Sequence, residues 1–176
     1  MVDYEHLRLK DRIAPGVRVL FVGINPGVRS ALSGHHFAGH SNNFWKLLHA
    51  SGLVPEPVTH VDDDRLPAWG YGITNIVARP TPGVSDLALT ELRAGRAALE
   101  RKVRRYKPAI VALVGITVYR ALFPGTQAVK PGRTRDRIGE AMVWVLPNPS
   151  GRNAHYSFQE MVRAFRSLRR AVSRTR

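Results

Sequence analysis

Apolar and polar positions along the chain fall into blocks that predict the order β-α-β-α-β-α-β-α. Val17 to Ile24 is a run of β-branched and apolar residues that breaks at Asn25-Pro26-Gly27, the pattern of a buried parallel strand. Similar runs predict strands at Gly72–Val77, Ala109–Gly115 and Met142–Leu146. Helical spacing predicts helices over about 43–51, 89–106, 117–123 and 157–173. In the second of these, Leu92, Gly95, Leu99 and Val103 share one face; in the last, Phe158, Met161, Val162, Phe165, Leu168 and Val172 do. Ser41 or Asn42 is positioned to cap the first helix, and Gly52 stops it. Between these elements the pattern predicts loops at 28–40, at 53–69 with one short helical turn, and at 124–137. Alternating strands and helices imply one three-layer α/β/α domain with a mostly parallel central sheet.

Two of the predicted strands end alike, at Asn25-Pro26-Gly27 and at Pro147-Asn148-Pro149-Ser150-Gly151. Carboxyl ends of parallel strands are where an α/β sheet places its ligands. Two Asn-Pro turns there predict a single cleft lined by both.

Composition narrows the class. With 176 residues the chain suits one domain (1–176, with 1–16 as a polar lead-in). It has no cysteine, so no disulfide or thiolate chemistry. MVDYEHLRLK contains no apolar h-region and no run reaches the length of a membrane span, so the expectation is a cytoplasmic protein with no membrane partner. The net charge of +14 is one-sided: residues 1–90 hold 8 Lys/Arg and 8 Asp/Glu, residues 91–176 hold 19 and 5. Such a field attracts polyanions, nucleic acid foremost, and an Arg-rich soluble surface accounts for it equally.

Asn25 has a carboxamide that donates and accepts but does not ionise. It can orient a water and cannot be a strong base, which confines it to reactions whose leaving group departs largely unaided; turn geometry alone is the competing explanation. His35, His36 and His40 lack a carboxylate or Cys at ligand spacing and read as solvated or phosphate-touching. Asp62-Asp63-Asp64 reads as a solvated acidic run, so no metal or other cofactor is expected. The basic stretch Pro124–Arg137 reads either as a phosphate-tracking loop or as a mobile basic surface.

Taken together, Gly23-Ile24-Asn25-Pro26-Gly27, then Phe37-Ala38, Asn43-Phe44-Trp45, Gly72-Ile73-Thr74-Asn75, Arg79-Pro80-Thr81 and Leu146-Pro147-Asn148-Pro149-Ser150-Gly151 resemble the mismatch-specific uracil-DNA glycosylases. These are the G:U-mismatch and thymine-DNA glycosylase branch of the uracil-DNA glycosylase superfamily, and the resemblance covers roughly residues 17–172. It implies a bacterial, monomeric base-excision-repair enzyme that flips uracil, or thymine, out of mismatched double-stranded DNA and leaves an abasic site. Carried over, Asn25 would position the water that attacks C1′, and Gly23, Ile24, Ala38 and Asn75 would bind the base. Phe37 would stack on it. Asn148, Pro149, Ser150 and Gly151 would press on the strand and the orphan guanine. Arg152, where the bacterial enzymes carry an aliphatic wedge, resembles the animal thymine-glycosylase loop; a phosphate contact is its other reading. Ser30, Lys130 and Arg133 would touch phosphates.

Asp86 lies in Thr81-Pro82-Gly83-Val84-Ser85-Asp86, which resembles the thymine-glycosylase branch. It is either the ionisable base that Asn25 is not or a cap for the helix beginning near Leu89. A phosphate-binding α/β enzyme is disfavoured because neither G-x-G-x-x-G nor G-x-x-x-x-G-K-[ST] occurs. A non-catalytic DNA-binding module explains the charge and leaves both Asn-Pro turns without a purpose.

Overall fold

The computed structural model describes residues 2–125 and 128–175. Five strands form one sheet in the order β2-β1-β3-β5-β4: β1 Val19–Gly23, β2 Tyr71–Asn75, β3 Ile110–Val114, β4 Gly132–Ile138 and β5 Ala141–Leu146. The first three and β5 are mutually parallel, and β4 runs antiparallel to β5. Every residue of β1 and β3 is buried, which is why these strands read as unbroken apolar runs rather than as alternation. The helices are α1 Val28–Ser33, α2 Phe44–Ala50, α3 Leu89–Tyr106, α4 Ile116–Leu122 and α5 Phe158–Ser173, with a 3-10 helix at His60–Trp69.

Helices cover both sheet faces. Phe21, Ile73, Ala112 and Leu146 pack with α2 and α5 through Phe44, Leu47, Phe165 and Leu168. Leu20, Val22, Val111 and Val143 pack with α3 and α4 through Leu99, Val103, Val118 and Leu122. Phe44 anchors the first core, its ring edge-on to Phe21 at 5.3 Å and to Trp45 at 5.2 Å, arrangements worth about 0.5–1.5 kcal/mol each beyond burial. Ser157 and Glu160 form a reciprocal capping box at the start of α5. Among the described residues no helix is long and apolar enough to cross a membrane.

Several expectations are corrected. The loop at 28–40 opens with α1, too short for periodicity to reveal. Residues 60–69, expected to hold one helical turn, form a ten-residue 3-10 helix. The stretch 124–137, expected to be a loop, contributes edge strand β4, and its Thr126 and Gln127 lie outside the described residues. Along β4, Arg133, Arg135 and Arg137 are exposed while Thr134 and Asp136 turn partly inward. Cationic side chains on an edge strand oppose pairing with another chain. Phe158, expected on the buried face of α5, is 38 % exposed. Asn42, not Ser41, serves the start of α2, its Oδ1 accepting from the Phe44 N–H at 2.9 Å.

Sheet order decides where a site can form. The connection after β1 leads to β2 on one side, and the connection after β3 leads toward β5 on the other. Between the carboxyl ends of β1 and β3 the sheet therefore has its switch point, where diverging connections leave a crevice.

Candidate active site

That crevice is a cavity of about 250 Å³. Gly23 to Gly27 enter it from β1, Asn75 from β2, Val114 and Gly115 from β3, and Asn148 and Pro149 from the turn after β5. The turn after β5 is tied to the stretch Ser41–Asn43. The Asn43 N–H donates to the Pro149 carbonyl at 2.8 Å, and the Gly151 N–H to the Ser41 carbonyl at 2.6 Å. A Cβ on Gly151 would lie 2.8 Å from the same carbonyl oxygen, so this close crossing of backbones requires glycine.

Asn25 is held from behind. Its Nδ2 donates to the Arg79 carbonyl at 3.0 Å and to Thr81 Oγ1 at 2.7 Å. Thr81 in turn donates to the Gly83 carbonyl at 2.7 Å. Both amide hydrogens are spent, and among the described residues no protein group donates to Oδ1. The carboxamide is thereby oriented as an acceptor at the pocket. Among the described residues no carboxylate lines the cavity, and the one titratable side chain in its lining is His36. Burial pushes the His36 pKa below the usual 6.5, and its Nε2 bonds the Lys10 carbonyl at 2.8 Å, leaving a neutral ring. The chemistry available is that of a neutral acceptor and oriented dipoles.

Phe37 forms one wall. Its backbone has φ 52°, a conformation a bulky residue adopts only when neighbours impose it, and its ring lies 4.2 Å from that of Phe44 at 32°. Opposite, a Cβ on Gly23 would lie 2.5 Å from Asn75 Oδ1 and 3.5 Å from the Phe37 ring. Glycine there admits the Asn75 carboxamide beside the aromatic wall. Ile24 also lines the cavity. Ala38 is buried just outside it, its N–H donating to Ser30 Oγ at 3.0 Å and its carbonyl accepting from Arg29 Nε at 2.6 Å. Ser30, expected at a phosphate, is 6 % exposed and lines the cavity, its Oγ accepting from the Ala38 N–H.

Beside the cavity lies an open groove of about 700 Å³ that includes Asn148, Ser150, Arg152, Thr117 and Arg120. Arg152 is exposed in it. Lys130 and Arg133 are exposed too. Because Gly132 pairs with Val145 near the end of β5, they sit toward the same edge of the sheet as the cavity without lining it.

Asp86 is exposed and does not line the cavity; its Oδ2 accepts from the Gly83 N–H at 3.0 Å. It folds the turn at 83–86, and the start of α3 is capped by Glu91, which accepts from the Ala88 N–H at 2.9 Å. The expected cap of α3 is corrected accordingly: the helix uses its own N-terminal carboxylate. Glu91 also grips Arg79 in a two-pronged pair at 2.8 and 3.0 Å, steadying the residue whose carbonyl holds Asn25.

Hydrogen bonding from Arg79 first, then from the Ala88 N–H, holds the Glu91 carboxyl at about 2, down from 4.5. The folded state therefore binds fewer protons than the unfolded one in that interval. The pair's contribution is full above 4.5 and is lost as pH falls through about 2. The stability gap between wild type and Glu91→Gln is expected to be flat above 4.5 and to close toward about 2. Denaturant titrations at stepped pH measure it, and a gap that persists unchanged into strong acid sinks the prediction.

Two sequence readings are overturned nearby. His36 is 1 % exposed rather than solvated, and Asp63, in the middle of the acidic run, is 0 % exposed. The three histidines also point to different partners: His35 to Asp63, His36 to Lys10 and His40 to Arg29. Among the described residues no group of three or more potential ligands is placed to hold a metal. Thr81 and Asp63 carry no local signal of their role, because both act on partners far away in sequence. Residues 11–169 match the family model of the Uracil DNA glycosylase superfamily.

Proposed function

The chain belongs to the uracil DNA glycosylase superfamily, a family of DNA glycosylases acting on uracil, and from that premise we propose that it excises uracil, and thymine more slowly, from mismatches with guanine. The single observation that supports this most is the Asn25 clamp: a neutral carboxamide at a switch-point pocket, its Nδ2 tied down and its Oδ1 left to accept. A flipped pyrimidine has its ring against Phe37 and its polar edge toward the Asn75 amide and nearby backbone. The C1′–N1 bond breaks with its electron pair going to the base, which leaves as an anion stabilised by those dipoles. Water held at Asn25 Oδ1 then adds to the oxocarbenium-like sugar and gives up its proton to solvent, leaving an abasic site. With no carboxylate among the described residues that line the pocket, departure of the base comes first and the enzyme is slow. Electrostatic stabilisation of the leaving base is its main lever.

Mismatch preference follows from energetics. Extruding a nucleotide costs a few kcal/mol and least where pairing is already poor, so an enzyme without strong chemical assistance favours mismatched bases. Arg152, projecting from the turn joined to the pocket, enters the vacated stack, where a planar guanidinium can stack and donate.

A labelled duplex with one G:U pair, incubated with the protein and treated with hot alkali, is expected to break at the uracil. G:T is expected to be cut more slowly, and A:U least. Binding without scission of any substrate would reduce the protein to a DNA-binding module.

A further inference from the structure

Asp63 is a fully buried carboxylate that the excision chemistry does not use. It accepts from Arg12 Nε at 3.0 Å and from the His36 backbone N–H at 3.0 Å, and it bonds His35 Nδ1 at 3.0 Å. Its partners lie 51, 27 and 28 residues away, so two distant stretches of chain, at Arg12 and at His35-His36, meet on one side chain. Arg12 also donates from Nη2 to the Gly34 carbonyl at 3.1 Å, and Trp45 Nε1 donates to the His36 carbonyl at 3.0 Å. These bonds fix residues 34–36, directly before Phe37.

We propose that Asp63 is a positioning residue that sets the Phe37 wall of the pocket, and through it the alignment of the extruded base for cleavage. This rests on the reading that the pocket takes a flipped pyrimidine.

A left-handed backbone is unfavourable for a bulky L-residue, and Phe37 has φ 52°. Left to itself, the 34–38 loop relaxes to negative φ and swings the ring away from Phe44. The His36 N–H held by Asp63 precedes that strained residue directly, and the Ala38 N–H held by Ser30 follows it. Asp63 is in turn held in place by Arg12, whose backbone pairs in both directions with Ile73 of β2. A buried carboxylate with this many directed donors costs desolvation, and its geometry is correspondingly sharp. Misplacing a reacting group by about 1 Å can cost about a hundredfold in rate.

Asp63→Asn tests it with little change in volume. The carboxylate uses one oxygen for Arg12 and His35 and the other for the His36 N–H. An amide has one oxygen, so one of these donors must then face an NH2 group. The single-turnover excision rate on G:U duplex is expected to fall about tenfold or more. Affinity for the same duplex carrying the abasic product is expected to stay within about threefold, because the DNA-facing surface is untouched. Assays run well below the melting temperature of each variant, and Asp64→Asn, an exposed neighbour, serves as the control at wild-type rate. A purely structural Asp63 lowers the melting temperature and leaves the rate within twofold, which overturns the proposal. If Asp63→Asn does not fold, Arg12→Gln replaces it: a rate loss of several-fold with product affinity intact supports the proposal, and an unchanged rate overturns it. Failure of the wild type to excise uracil from any duplex is a different result and removes the functional reading itself.

Discussion

Asn25→Ala is expected to lower single-turnover uracil excision by about a hundredfold or more, the range seen when a positioned catalytic contact is removed, while DNA affinity stays within about twofold. Alanine removes the acceptor that orients the attacking water and touches none of the exposed arginines that supply charge. The partners left behind have other bonds or access to water. Thr81 keeps its bond to the Gly83 carbonyl, and the Arg79 carbonyl belongs to a segment steadied by the Glu91 pair. The stability cost is therefore that of one or two modest hydrogen bonds, about 1–2 kcal/mol, too little to unfold the protein at assay temperature. Rapid-quench kinetics with enzyme in excess gives the rate, and anisotropy on product duplex gives the affinity. Equal losses in both sink the assignment of Asn25 to the chemical step, as does a rate that survives.

The second large effect is on stability. Gly95→Ala is expected to destabilise the protein by about 1–3 kcal/mol, the cost of forcing atoms into a packed site. Helix propensity alone argues the other way, since glycine inside a helix costs about 1 kcal/mol relative to alanine. Packing decides, because a Cβ on Gly95 would collide with the carbonyl oxygen and side chain of Ile76. A backbone carbonyl is not a flexible tip that can swing aside, and Ile76 is itself fixed by its N–H bond to the Gly23 carbonyl at 2.9 Å. Either α3 lifts from the sheet or the chain after β2 shifts, and the latter moves Asn75 at the pocket. Thermal or urea melts check the sign; a gain in stability shows that the helix accommodates the methyl. With about 2–4 °C per kcal/mol for a chain of this size, the expected drop is easily read.

Gly95 also shows what could be read from sequence. Its place on the buried face of α3 follows from spacing with Leu99 and Val103, and all three are buried. Its need to be glycine follows only from Ile76, on another element. The four apolar strands were legible because burial on both faces demands continuous apolar runs. Strand β4 was not legible, since its polar, arginine-rich edge offers no hydrophobic period and exists only by pairing with β5. Glu91 as the cap of α3 was missed in favour of Asp86, because both carboxylates lie near the helix start and only backbone geometry separates them.

By itself the sequence determined the α/β order, the strands that end at Asn-Pro turns, the one-sided charge and membership of the glycosylase superfamily. These are written in local periodicity and short motifs, which depend on neighbours a few residues apart. Only the tertiary structure decided that Asn25 is gripped by the Arg79 carbonyl and Thr81, that Ser30 Oγ accepts from the Ala38 N–H, and that Asp63 is buried where two distant segments reach it. A carboxylate surrounded by acids in sequence reads as solvated because burying a charge without partners is prohibitive. Its partners came from 27 to 51 residues away, a distance over which only the closed fold can bring charges together.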